Sequence, residues 1–134
     1  MPRQIYVNLP VKNLQASIDF FTKLGFTFNA QFTDETATCM IISDTIYAML
    51  LTHQKFKSFI STEIADAQKV TEVINCISLE TRAAVDEMVQ KAIAGGGRMH
   101  NAAIDHGFMY IHGFQDLDGH LWELIYLVPN PESP

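Results

Sequence analysis

The stretch D-L-D-G-H-L-W-E-L-I-Y, residues 116–126, predicts a tight polar turn that leads into an apolar strand. Alternation along this strand places Glu123 on one face and Trp122 and Leu124 on the other. A carboxylate among apolar neighbours is costly to bury unless it meets a cation, a proton or several donors. Glu123 is therefore either part of a functional site or a sign that its face of the sheet is wet.

The bulk composition is that of a single packed domain. The chain has 134 residues, of which 48% are hydrophobic and 18% are charged. Fifteen acidic residues against nine lysines and arginines give a net charge of −6, which argues against a nucleic-acid surface. Apolar runs are too short to cross a membrane, so we expect neither a nucleic-acid nor a membrane partner.

The two cysteines and the start of the chain indicate a cytoplasmic protein. The first residues, M-P-R-Q-I-Y-V-N, lack the apolar core of a signal peptide. Cys39 and Cys76 lie in apolar, strand-like runs, and we expect both to be buried free thiols. Neither has a C-x-x-C partner or an adjacent histidine, which disfavours a catalytic thiol.

The first half of the chain predicts a strand, a helix and further strands. Alternation over residues 5–11 indicates the first strand, and Asn13 can cap a helix that ends at Gly25. Residues 26–32 alternate again, and the runs A-T-C-M-I-I and T-I-Y-A-M-L-L predict two more strands. A short surface helix is expected after His53.

The second half repeats this order. Residues 73–79 predict a strand, Thr81 can cap a helix, and the glycines at 95–97 end it. Residues 104–107 are expected in a loop and residues 108–114 in a strand. The turn and strand of residues 116–126 complete the unit.

Strand, helix and about three strands therefore occur twice, which indicates an internal repeat. Asp44 precedes Met49 by five positions, as Asp118 precedes Glu123, so Met49 and Glu123 are pseudo-equivalent. We predict an α+β fold in which two βαβββ modules form a curved mixed sheet around a pocket. Module one spans about residues 3–60, a linker 61–69 and module two 70–128. The alternative is a ferredoxin-like domain that dimerises into a barrel, with one strand fewer per helix.

Three motifs make the chain resemble the vicinal oxygen chelate superfamily. They are L-P-V-K-N-L-Q-A-S-I-D-F-F-T-K-L-G-F at residues 9–26, A-G-G-G at 94–97 and D-L-D-G-H-L-W-E-L at 116–124. That superfamily includes glyoxalase I, extradiol dioxygenases, and fosfomycin and bleomycin resistance proteins. The N-L-P-V start resembles its uncharacterised PhnB-like branch. The resemblance implies paired βαβββ modules with a concave pocket, and a homodimer, since modules pair within one chain or across two.

The resemblance also implies a divalent metal, whose ligands come from the first and last strand of each module. The last-strand carboxylate of module two matches Glu123, and the other three positions fall on Tyr6, Met49 and Ile74. Isoleucine cannot bind a metal, methionine suits soft ions, and a tyrosine ligand needs an ionised phenol. We therefore expect no standard metal site. Two possibilities remain for the cofactor, a divalent metal at Glu123 or no cofactor at all, and the second is favoured.

The strand F-M-Y-I-H-G-F, residues 108–114, supplies candidate partners for Glu123. Alternation puts Phe108, Tyr110 and His112 on one face. If helices cover an aliphatic face, these three side chains line the pocket beside Glu123. Glu123 and His112 are then candidates for a general base pair, because an imidazole titrates near neutrality and a carboxylate can orient it. The simpler alternative is a structural hydrogen bond from His112.

The same reasoning places side chains of module one in the pocket, which then resembles a small-molecule site with a few polar anchors. These side chains are Tyr6, Asn8, Tyr47 and Met49.

Three functions remain open. The first, which the missing histidines favour, is a metal-independent domain that binds a planar or aromatic small molecule. The second is a metal-dependent lyase or dioxygenase of the glyoxalase type that uses Glu123. The third is a partner-binding module without catalysis.

Overall fold

The computed structural model describes residues 2–129, which fall into two compact units that divide between Asp66 and Ala67. The strands are β1 (Ile5–Val11), β2 (Thr27–Asn29), β3 (Ala37–Ile41), β4 (Ile46–Thr52), β5 (Ile74–Ser78), β6 (Arg98–Met99), β7 (Ile104–Asp105), β8 (Met109–Gln115) and β9 (Leu121–Leu127). The helices are α1 (Leu14–Lys23), α2 (His53–Lys57) and α3 (Arg82–Ala94), with a 3-10 turn at Ala30–Phe32. Within the described residues, none of the helices is long and apolar enough to span a bilayer.

Unit one holds a four-stranded mixed sheet in the order β1-β4-β3-β2. Strand β1 runs parallel to β4, and the other pairs are antiparallel. Alternation sends Leu9, Ala48 and Leu50 to the face that α1 covers, where Phe20 and Phe21 of the helix are also buried. We call this the helix face and the opposite side the open face of the sheet.

Unit two repeats that topology. Its sheet has the order β5-β9-β8-β6, with β5 parallel to β9, and the extra strand β7 pairs with β8. Helix α3 buries Val85, Val89 and Ala92. Two mixed sheets with three helices confirm the predicted α+β fold and exclude the ferredoxin-like alternative, whose modules would have fewer strands.

The predicted helix signals act as expected. The side chain of Asn13 accepts a hydrogen bond from the backbone N–H of Ala16, and Thr81 accepts one from Ala84, so each caps a free helix N-terminus. The backbone at Gly96 has a φ of +106°, a left-handed conformation that glycine adopts readily, and α3 ends there.

Three local predictions are wrong. Residues 104–105 pair with β8 instead of lying in a loop. The strand predicted over residues 26–32 is only three residues long, because Asn29 accepts a hydrogen bond from the N–H of Gln31 and starts the 3-10 turn. Cys39 is buried as expected, but Cys76 is exposed, because its side of β5 is the open face.

Candidate functional site

The turn before β9 is held by the buried carboxylate of Asp116. Its Oδ1 accepts hydrogen bonds from the backbone N–H groups of Asp118 and His120, and its Oδ2 accepts one at 2.9 Å from the Nε1–H of Trp122. Burial raises the pKa of Asp116, while these donors and His120 oppose that rise. Asp116 thereby connects the turn to the first residues of β9 and fixes which residues of the strand face each side of the sheet.

Strand β9 has the predicted faces. Trp122 and Leu124 are 2% and 0% exposed on the helix face, and Glu123 lies half-buried on the open face. Glu123 is paired across the sheet with Gly113 of β8 on one side and with Cys76 of β5 on the other. The carboxylate of Glu123 is therefore accessible from the open face.

His112 and Tyr110 do not share that face, so this prediction is wrong. His112 is paired with Leu124, which puts its imidazole on the helix face. The hydroxyl of Tyr110 donates to Oδ1 of Asp86 in α3 at 2.6 Å, and Nδ1 of His112 lies 3.8 Å from the same oxygen. A general base pair of Glu123 and His112 is excluded, because the sheet separates the two side chains.

A polar cluster under α3 explains why this face is not aliphatic. The guanidinium of Arg82 lies over the rings of Tyr110 and Tyr126 and donates to the carbonyl of Gly107. The hydrogen bond that the Tyr110 hydroxyl donates to Asp86 raises the pKa of Tyr110, because only the protonated phenol can make it. The polar helix residues Arg82 and Asp86 thus hold in place the aromatic side chains that β8 and β9 send toward α3.

A pocket opens around Glu123, beside strands β8 and β9. Its cavity volume is about 40 Å³, within about 350 Å³ of space that includes open solvent. It is lined by Ile74, His100, Asn101, Ala102, Ile104, Ile111, His112, Gly113, Leu121, Trp122 and Glu123. Gly113, which is paired with Glu123, contributes no side chain to this lining.

Cys76 is the neighbour of Glu123 on β5. Partial desolvation, the charge of Glu123 and a hydrogen bond to that carboxylate all raise the pKa of the Cys76 thiol. The thiol therefore remains protonated near neutral pH and donates its hydrogen to Glu123.

We expect Glu123→Gln to accelerate alkylation of Cys76 by iodoacetamide at pH 7.5. Removing the charge lowers the pKa of the thiol, and the thiolate fraction rises about tenfold for each unit of that fall. Mass spectrometry of the two cysteine peptides gives both rates, and Cys39, which is 1% exposed, serves as the internal reference. Glu80→Gln, at an exposed position, is the matched control. Equal Cys76 rates in all three proteins would contradict the contact.

Unit one carries an aromatic pair on its open face. The rings of Tyr6 and Tyr47 stack with centroids 4.7 Å apart and an interplanar angle of 11°. Gln4 connects both phenols, because it accepts from the Tyr6 hydroxyl at 3.1 Å and donates to the Tyr47 oxygen at 3.3 Å. The Tyr47 hydroxyl in turn donates to the carbonyl of Asp44. The two rings are held in fixed positions.

Of the other residues predicted to line the pocket, some lie on an open face and one does not. Asn8 and Met49 are paired with each other on the open face of unit one, as expected, and the amide of Asn8 donates to the carbonyl of Tyr6. Phe108 lies just before β8, is 66% exposed and is near the ring of His106. It does not line the pocket at Glu123.

The donor atoms do not fit the divalent metal that the fold implies. The open face of unit one offers the phenol of Tyr6 and the thioether of Met49, and that of unit two offers Ile74 and the carboxylate of Glu123. Among residues 2–129 there is no cluster of three histidine, cysteine or acidic side chains that can hold a metal. Several such ligands are normally required to replace the waters of a divalent ion.

Three residues of the site at Glu123 were missed from the sequence. His100, Gly113 and Cys76 reach it through cross-strand pairing, and pairing register is a long-range property. The available signal was the alternation of β5 and β8, which places Cys76 in phase with Ile74 and Gly113 in phase with Ile111.

Comparisons with known proteins agree with this fold. A sequence model of the Glyoxalase/Bleomycin resistance protein/Dioxygenase superfamily matches residues 3–124. No curated protein matches the chain significantly.

Solved structures extend the match over the full domain. A hypothetical protein from S. aureus is similar with a TM-score of 0.79 and 25% identity, over 96% of this chain and 95% of that one. A glyoxalase-related enzyme from Fulvimarina pelagi has a TM-score of 0.80 at 16% identity, over 100% and 92% of the two chains. A glyoxalase/bleomycin resistance protein/dioxygenase family enzyme from Burkholderia phytofirmans PsJN has a TM-score of 0.77 at 16% identity, over 95% and 100%. With its sequence matched almost throughout, the chain belongs to the glyoxalase/bleomycin resistance/dioxygenase superfamily.

Proposed function

We propose that this superfamily member binds a small planar organic molecule on its open sheet faces, without the metal site usual in its relatives. The observation that carries the proposal is the stacked pair of Tyr6 and Tyr47, which Gln4 holds at both hydroxyls. Tyr6 is 46% exposed although it lies in a strand, so part of its ring is available to a ligand. A preorganised aromatic surface binds flat ligands with little loss of side-chain entropy.

The side chains at the family's metal-ligand positions support binding without a metal. The positions that carry ligands in metal-dependent relatives hold a phenol, a thioether, an isoleucine and a single carboxylate. Each of the first two suits contact with an aromatic ligand, because phenol rings stack and methionine sulfur packs against ring edges.

We expect Tyr6→Ala to weaken binding of planar aromatic ligands about tenfold, because stacking on one ring contributes about 1–3 kcal/mol. A panel of naphthalene-, indole- and flavone-type compounds is screened by thermal shift with and without EDTA, and the best binder is then titrated by calorimetry. The matched control is Phe32→Ala, since Phe32 is also an exposed aromatic residue of unit one, at 58%. A ligand whose affinity is insensitive to Tyr6→Ala, or whose binding is abolished by EDTA, contradicts the proposal.

A second candidate is a proton-transfer enzyme in which Glu123 is the base. The observation in its favour is the position of this carboxylate in a pocket with apolar walls, where it can reach a substrate C–H or O–H group. Glu123→Gln distinguishes the two candidates. The substitution should abolish turnover if the protein is an enzyme, and it should leave ligand stacking on Tyr6 unchanged if the protein is a binding domain.

We also propose that the protein is a cytoplasmic homodimer of the PhnB-like branch. Exposed apolar residues on the two edge strands, Ile5 on β1 and Ile74 on β5, support an interface with a second copy. The free thiols of Cys39 and Cys76 support a reducing compartment. The N-L-P-V stretch at the end of β1 supports the branch.

A further inference from the structure

We infer that the pocket of unit two selects ligands with a small cationic N–H head, such as an amidinium, which docks between His100 and Glu123. The inference rests on the proposed function, because it names the class of ligand group that one of the open faces takes.

The first argument is a row of residues across the sheet. The backbone N–H of His100 donates to the carbonyl of Gly113, and Gly113 is paired with Glu123. Neighbouring strands lie about 4.8 Å apart, so the backbones of His100 and Glu123 are about 10 Å apart with a glycine between them. The pairing puts the imidazole of His100 and the carboxylate of Glu123 at the two ends of this row, with no side chain between them.

The second argument is charge. Glu123 is the one acidic side chain that lines the pocket, and lysine and arginine are absent from the lining. Among the described residues, the thiol of Cys76 donates a hydrogen bond to Glu123, and because a thiol is a weak donor, most of the carboxylate lone pairs stay available. Apolar walls reduce screening by water, so the carboxylate attracts a cation and repels an anion strongly. The net charge of −6 acts in the same direction.

The third argument is shape. An amidinium is planar and presents two parallel N–H groups, which match the two oxygens of a carboxylate. Aliphatic side chains form part of the remaining lining, among them Ile74, Ile111 and Leu121, and offer contact to an apolar body attached to that head. Benzamidine combines both features, and benzamide and benzoate have nearly the same shape with a neutral and a negative head.

The experiment titrates the full chain with benzamidine, benzamide and benzoate and follows amide chemical shifts by NMR. We expect benzamidine to bind at least about tenfold more tightly than benzamide, and benzoate not to bind. The shifted amides should include Gly113 and Glu123. Glu123→Gln should remove the preference for benzamidine, whereas Glu87→Gln, at an exposed residue paired with Lys91 on α3, should keep it.

The outcomes separate this inference from the proposed function. If benzamide or benzoate binds as tightly as benzamidine, or if none of the three binds while the aromatic panel does, the cationic selectivity is wrong and the binding function stands. If the panel also fails, the proposed function is wrong. The comparison of the three probes on the unaltered chain decides the matter even if Glu123→Gln does not fold.

Discussion

Asp116→Ala should lower the free energy of unfolding by about 3–5 kcal/mol. The substitution leaves three donors without their acceptor, namely the indole N–H of Trp122 and the backbone N–H groups of Asp118 and His120. Asp116 is only 5% exposed, so water cannot replace the lost hydrogen bonds without opening the turn. Urea unfolding followed by circular dichroism measures the change.

An exposed aspartate in the turn before β4 supplies the control for Asp116→Ala. Asp44 lies in the exposed turn before β4, and Asp44→Ala should change stability by less than about 0.5 kcal/mol. Asp116→Asn should have an intermediate effect, since the amide keeps one acceptor oxygen and loses the other. Equal stability of Asp116→Ala and Asp44→Ala would show that the buried carboxylate is not what holds the turn.

Gly113→Ala should destabilise the protein by about 2–4 kcal/mol and abolish ligand binding in the pocket at Glu123. A methyl group at this position would lie 2.7 Å from the carbonyl oxygen of Trp122, which is backbone and cannot rotate away. Strands β8 and β9 must then separate where Gly113 is paired with Glu123. Thermal unfolding and titration with benzamidine measure the two effects.

Gly107→Ala separates steric overlap from backbone strain. Its φ is +85° and no atom lies within 4 Å of the added carbon, so only the conformational cost of about 1–2 kcal/mol applies. Binding in the pocket should persist in this variant. A Gly113→Ala protein as stable as Gly107→Ala would mean that the β8–β9 pair adjusts without strain.

The fold could be predicted because local signals and the repeat agree. Asn13 and Thr81 cap their helices as expected, and the two turns at Asp44 and Asp118 precede strands that occupy the same place in their sheets. The faces of β9 were also predictable, since Glu123 interrupts an otherwise apolar run. These properties depend on neighbouring residues alone.

The site was predictable only in part, because alternation separates two faces without telling which one a helix covers. For β8 the assignment was inverted: the polar face with Tyr110 and His112 meets α3, whose Asp86 accepts the hydrogen bond from Tyr110. Aliphatic Ile111 is left on the open face. The sequence of β8 does not contain this information, because it depends on which side chains α3 presents.

The indole of Trp122, joined to Asp116 inside unit two, is the single tryptophan of the chain. Its fluorescence emission therefore observes only the C-terminal half, whereas the tyrosine pair at Tyr6 and Tyr47 belongs to the N-terminal half. Excitation at the red edge of the absorption band isolates the first signal from the second. The indole thus gives the C-terminal half an intrinsic optical label, and a difference between its transition and the loss of circular dichroism of the whole chain during denaturation would reveal that the two halves melt in sequence.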